Sequence, residues 1–114
     1  MARDNKQHKF SEILSSEQKA KLKGKAHHLK TFVQVGSQGF SETVVKEILL
    51  ALEKHELIKV QLPGNSDAEA KNSQKDEIAQ LLPKHTHVIG RIGRSLILYF
   101  EKEPSEAKIT LKSL

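Results

Sequence analysis

Residues 31–62 constrain the fold more than any other stretch of the chain. Thr31-Phe32-Val33-Gln34-Val35 has the alternation of a short strand, with Val33 and Val35 on one face and Phe32 and Gln34 on the other. From Ser41 to about His55, Val44, Val45, Ile48, Leu49, Ala51 and Leu52 recur at helical spacing and form a broad apolar face. Leu57-Ile58-Lys59-Val60-Gln61-Leu62 alternates again, so one face of the sheet it joins is only partly covered. A strand, a helix and a strand in this order predict a right-handed crossover between parallel strands. The tetrapeptide Gly36-Ser37-Gln38-Gly39 falls between the first strand and the helix start.

The flanking segments complete one domain. Ser15 and Gln18 form a capping box that opens a helix running to about His28, with a narrow stripe of Leu22, Ala26 and Leu29. Beyond the turn Pro63-Gly64-Asn65-Ser66, Asp67 caps a weaker helix through Leu82, which Pro83 stops. Two strands, about His87–Ile92 and Ser95–Phe100, meet at Gly93-Arg94 and must be antiparallel. The expected fold is a single compact α/β domain, a mixed four-stranded sheet with three helices in the order α-β-α-β-α-β-β. The domain is expected to span residues 15–100, between a polar leader (1–14) and a polar tail (101–114). Ile109, Leu111 and Leu114 in that tail alternate and suit an extended edge.

A chain of 114 residues suits one core. Without Cys there is no disulfide framework, thiolate metal site or thiol nucleophile. No apolar run approaches membrane-spanning length, and Met1-Ala2-Arg3-Asp4-Asn5-Lys6 begins no signal-like segment, so the cytoplasm is the expected compartment. The net charge of +5 is unevenly divided: +1 over residues 1–14, +4 over 15–40, −3 over 41–82 and +3 over 83–114. Two basic stretches around an acidic one suit a face that binds a polyanion.

Glycines at both ends of Gly36-x-x-Gly39 let the backbone turn sharply and let a phosphate approach without meeting a Cβ. The helix start at Ser41 adds unpaired N–H groups and a partial positive charge. Ser37 and Gln38 supply side-chain donors for a phosphate or a 2′-hydroxyl. Lys21, Lys23, Lys25, His28 and Lys30 precede the loop and form its basic rim. The loop has neither the Lys and Ser/Thr of a nucleotide-hydrolysing P-loop nor the third Gly of a dinucleotide fingerprint. A second GxxG, Gly90-Arg91-Ile92-Gly93, is read as strand and turn. Its Arg91 and the adjacent Arg94 remain candidate phosphate contacts, because guanidinium groups fit phosphate oxygens.

Other chemistries are poorly supported. His85 with His87, and His27 with His28, fall short of a three-ligand zinc site with its supporting groups, and Ser37 has no base assigned by sequence. No cofactor, metal or small-molecule substrate is expected, and nothing requires more than a monomer. Phe32, Phe40 and Tyr99 are candidates for stacking on unpaired bases. Phe40 is expected to pack under the helix start, and Tyr99 stacks only if its strand face is open.

Four blocks in order carry a resemblance. They are Leu22-Lys23-Gly24-Lys25-Ala26-His27-His28-Leu29-Lys30, Val35-Gly36-Ser37-Gln38-Gly39-Phe40-Ser41-Glu42, Ala51-Leu52-Glu53-Lys54-His55-Glu56-Leu57-Ile58-Lys59-Val60, and Ile92-Gly93-Arg94-Ser95-Leu96-Ile97-Leu98-Tyr99. Over about residues 15–100 the chain resembles the YhbY family, the bacterial stand-alone form of the chloroplast RNA splicing and ribosome maturation (CRM) domain. The resemblance implies a fold like the C-terminal domain of bacterial translation initiation factor three. It also implies RNA binding through the GxxG loop and adjacent basic surface, and association with precursors of the large ribosomal subunit. The expected function is thus a non-enzymatic factor that binds RNA, in particular ribosomal RNA. The alternative is a protein-interaction module that docks through its acidic middle helices, and a small metal-dependent hydrolase is the third candidate.

Overall fold

A computed structural model describes residues 14–36, 39–62, 68–102 and 105–109. Its elements follow the expected order: α1 (Ser16–Ala26), β1 (Val33–Gln34), α2 (Glu42–His55), β2 (Leu57–Gln61), α3 (Ala68–Leu81), β3 (Thr86–Ile92) and β4 (Ser95–Phe100). They build one four-stranded sheet ordered β1-β2-β4-β3, in which β1 and β2 are parallel and β4 is antiparallel to both its neighbours.

The sheet has helices on both faces, and alternation along the strands decides which residues meet which helix. Ile58, Val60, Leu96 and Leu98 pack with Val33 and Val35 against Ile48 and Leu52 of α2 and Ile78 of α3. On the opposite face Leu57, Ile97 and Tyr99 pack against Leu22 and Ala26 of α1, with Leu14 and Ile89. The narrow stripe of α1 thus covers the second core, and its remaining residues meet solvent. Phe40 is half-buried against the first core, as expected of a residue below a helix start.

Local chemistry sets the helix ends. The Ser15 hydroxyl accepts from the Gln18 N–H at 3.1 Å, and the Gln18 side chain accepts from the Ser15 N–H at 2.9 Å. Ser41 caps α2 by accepting from the Val44 N–H at 3.3 Å. The residues proposed to turn into and cap α3, 63–67, lie outside the described residues.

A bulge in β3 changes the side-chain pattern. Val88 pairs with Leu98 and Gly90 with Ile97, leaving Ile89 as the extra residue. Val88 therefore packs in one core and Ile89 in the other. Beyond the bulge, Arg91 pairs with Leu96 and shares its face, the one covered by α2 and α3, while Ile92 turns toward α1.

The C-terminal segment is folded onto the domain. Lys102 Nζ donates to the Glu53 carbonyl at 2.6 Å and Lys108 Nζ to the Lys54 carbonyl at 2.8 Å, so two lysines meet the exposed carbonyls at the end of α2. Ile109 packs against the second core.

Candidate functional site

The parallel strands β1 and β2 end together, and β3 and β4 turn at that same end. The Val35 N–H donates to the Gln61 carbonyl at 2.8 Å, and the Leu62 N–H donates to the Arg94 carbonyl at 2.7 Å. Gln61 itself pairs with Ser95. Gly36 therefore leaves the sheet at the same end as the Gly93-Arg94 turn, with the end of β2 at Leu62 between them, and the short loop from it delivers Ser41 to the start of α2. The Gly39 N–H donates to the Gly36 carbonyl at 3.0 Å, so the two glycines are held together. Ser37 and Gln38, between them, lie outside the described residues.

The two glycines differ. Gly39 has φ 75, a conformation that disfavours side chains with a Cβ. Gly36 shows no such requirement, and a Cβ built on it would meet nothing within 4 Å. Gly39 serves backbone geometry, whereas Gly36 leaves an open approach to the loop. At the β3–β4 turn, Gly93 has φ 58 and occupies the first of two central positions, as a two-residue hairpin requires.

At the start of α2, Ser41 satisfies the Val44 N–H. The N–H groups of Glu42 and Thr43 have no acceptor within the helix. They give this end of the sheet a partial positive charge. Glu42 works against it: its exposed carboxylate sits at the helix start, 3.8 Å from Lys46 Nζ in a solvated pair of little energetic weight.

The candidate site residues divide among four places. Gly36, Gly39, Ser41 and Arg94 share one end of the sheet. Lys23, on α1, drapes across β3, so that a Cβ on Gly90 would meet its Nζ at 3.8 Å. Gly90 is three residues before Gly93, which puts the ammonium on the order of 10 Å from the turn. Lys21, Lys25, His28 and Lys30 are exposed on or just after α1, with Lys21 3.8 Å from Glu17. Arg91 stands apart on the opposite sheet face, and its Nη1 is buried with no hydrogen-bond partner among the described residues.

Burial and pairing place two other candidates, Tyr99 and His87. Tyr99 is 1% exposed and its hydroxyl donates to the Ile109 carbonyl at 3.0 Å, so it is no platform for a base. Burial, with the Glu101 and Glu56 carboxylates adding to it, pushes its pKa from 10 up to about 12. His87 Nε2 stands 3.4 Å from the buried Glu101 carboxylate. Among the described residues no three His, Asp or Glu side chains form a metal-binding group. No described helix is long and apolar enough to cross a membrane.

Two features escaped the sequence reading. Gln34 is exposed and Lys59 and Gln61 are half-buried, and the Gln34 amide donates to the Gln61 side chain at 3.2 Å. Their face was legible from the alternation in β2, but the reach of α1 over the sheet was not. Glu56, wholly buried, accepts from the Lys108 and Ile109 N–H groups at 2.9 Å. A glutamate within a run of charged residues carries no sequence signal for that role.

Comparison with known proteins places these features in a wider set. The model of the CRS1 / YhbY (CRM) domain matches residues 14–99. The probable RNA-binding protein YqeI of Bacillus subtilis is 37% identical over 98 residues, covering 84% of this chain and 95% of its own. An RNA-binding protein of Haemophilus influenzae is 42% identical over 100 residues, covering 86% and 94%. The solution structure of the hypothetical protein SAV1595 from Staphylococcus aureus superposes with a TM-score of 0.69 at 26% identity, covering 82% of this chain and 95% of that one.

Proposed function

Because the chain belongs to the CRS1 / YhbY (CRM) domain family, we propose that it is a non-enzymatic RNA-binding protein that holds RNA phosphates at the Gly36–Gly39 loop. The RNA is ribosomal, and the protein associates in the cytoplasm with precursors of the large subunit. The observation that carries this reading is the presence of three features at one end of the sheet. These are the open approach at Gly36, the start of α2 at Ser41 and the Arg94 turn. Lys23 extends that surface along β3, and Lys21, Lys25, His28 and Lys30 supply its wider rim. Arg91 faces the other layer and acts on the RNA only through the potential of the whole molecule.

Phosphate contacts of this kind fix position and orientation without reading sequence. The loop holds the RNA backbone, and choice among RNAs falls to groups that reach base edges or base faces.

The test uses the full chain with ribosomal RNA at low salt, by mobility shift, together with co-sedimentation with large-subunit precursors. Both are expected to succeed. Gly36→Asp should weaken binding at least tenfold, and the uncharged Gly36→Asn much less, because the position tolerates a side chain and the change acts through charge. If neither assay detects the protein with RNA, the reading is lost. If Gly36→Asp binds like the parent, the loop has no part in binding. The docking alternative has the exposed Leu50 on α2 and Leu81 on α3 in its favour. A partner retained after RNase treatment would favour it.

A further inference from the structure

Phe32 is 39% exposed, an unusual allowance for a phenylalanine in a chain with so few aromatic residues. Its ring is nonetheless fixed. His55, the last residue of α2, stacks on it with centroids 4.4 Å apart and planes 24° apart. The backbone is held as well, since the Phe32 N–H donates to the Lys59 carbonyl at 3.1 Å and extends the β1–β2 ladder by one residue. With His55 against one side, a further ring can reach Phe32 only from the other side or the edge.

We infer that the Phe32–His55 pair is a stacking platform for an unpaired base, so that the RNA held by this protein is single-stranded where it crosses β1. The proposal rests on the RNA-binding reading above and adds to it the kind of RNA and a second contact point. A base offers a π-face whatever its identity, and an aromatic ring already immobilised by a partner loses little further freedom when a base stacks on it. The surroundings suit a nucleic-acid strand. Lys30 is exposed two residues before Phe32, Lys59 lies beside it in the ladder, and Gln34 and Gln61 continue the polar strip along β1 and β2. Gly36 is four residues further along the same extended segment, on the order of 13 Å away. One strand can therefore meet the platform and the phosphate loop together. A base inside a duplex has its faces covered by its neighbours and cannot use the platform.

The protein has no tryptophan, so Phe32→Trp gives a single-tryptophan reporter at the site. The probes are an unstructured oligoadenylate and an RNA duplex of equal length, titrated into the full-length parent, Phe32→Ala and Phe32→Trp. Phe32→Ala is expected to weaken oligoadenylate binding roughly tenfold and leave duplex binding unchanged. Phe32→Trp should keep the affinity for oligoadenylate, with its fluorescence quenched on binding. The proposal is overturned if the parent and Phe32→Ala bind oligoadenylate equally, or if Phe32→Ala loses affinity for both probes alike. It is also overturned if Phe32→Trp binds without a change in fluorescence. A parent that binds neither probe nor ribosomal RNA sinks the RNA-binding reading itself, and the platform with it. The two failures are thereby distinct.

Discussion

Glu56 has φ 68 and ψ −38, a sparsely populated conformation that costs about 1–3 kcal/mol, and its carboxylate is completely buried. Both features follow from its position as the C-cap of α2. The backbone must reverse there to enter β2, and the side chain then reaches the N–H groups of Lys108 and Ile109, with Lys102 Nζ 3.9 Å away. Hydrogen bonds to a charged group are worth about 1.5–3 kcal/mol each, together more than the strain. Glu56→Ala should therefore destabilise the fold by about 3 kcal/mol. Glu56→Gly should cost less, because glycine relieves the φ, yet remain clearly unstable relative to the parent. Denaturant midpoints of the three proteins check the ranking. Tyr99 offers a second prediction. Its pKa in the fold is raised from 10 to about 12, so the folded state holds the phenolic proton more tightly than the unfolded chain does. The corresponding stability is complete below pH 10 and is lost as pH rises from 10 toward 12. As the sole tyrosine in a chain without tryptophan, it can be followed by ultraviolet absorbance alone. Tyrosinate should appear near pH 12 or together with unfolding, and a simple titration at pH 10 in the folded protein would contradict its burial. Neither role was legible in the sequence. The partners of Glu56 lie 52 and 53 residues away, and the face of Tyr99 is closed by α1 and Ile109.

At the scale of elements, the sequence was most informative where one residue type answers one local need. Ser15 with Gln18 and Ser41 marked the starts of α1 and α2, and the broad apolar face of α2 and the narrow one of α1 matched what each covers. Alternation failed at the β3 bulge, because one unpaired residue at Ile89 exchanges the faces of everything after it. Arg91 thus stands on the α2 and α3 face, away from the α1 lysines with which its charge had grouped it. Glu42 gives an element-level prediction. Its carboxylate is stabilising at a helix N-terminus by about 0.3–1 kcal/mol but repels a phosphate bound there. Glu42→Gln should lower the thermal midpoint slightly and tighten RNA binding. Equal or weaker binding by that variant would count against a phosphate at the start of α2.

The architecture of the whole molecule follows from topology that the strand–helix–strand unit already implied. A right-handed crossover carries Gly36 and Ser41 to the end of the sheet where β1 and β2 finish, and the antiparallel hairpin returns its Gly93-Arg94 turn to that same end. Residues far apart in sequence are assembled there, on a molecule whose net charge is +5. The sequence could nominate the parts, but their meeting depends on the sheet order β1-β2-β4-β3. The most direct test of the central claim is the salt dependence of binding to a single-stranded ribosomal RNA fragment, compared between the parent and Arg94→Gln. Log affinity should fall linearly with log salt concentration, and losing one phosphate contact should make the slope shallower by about 0.7. Binding that is indifferent to salt, or a slope unchanged in Arg94→Gln, would contradict a phosphate cradle at this end of the sheet.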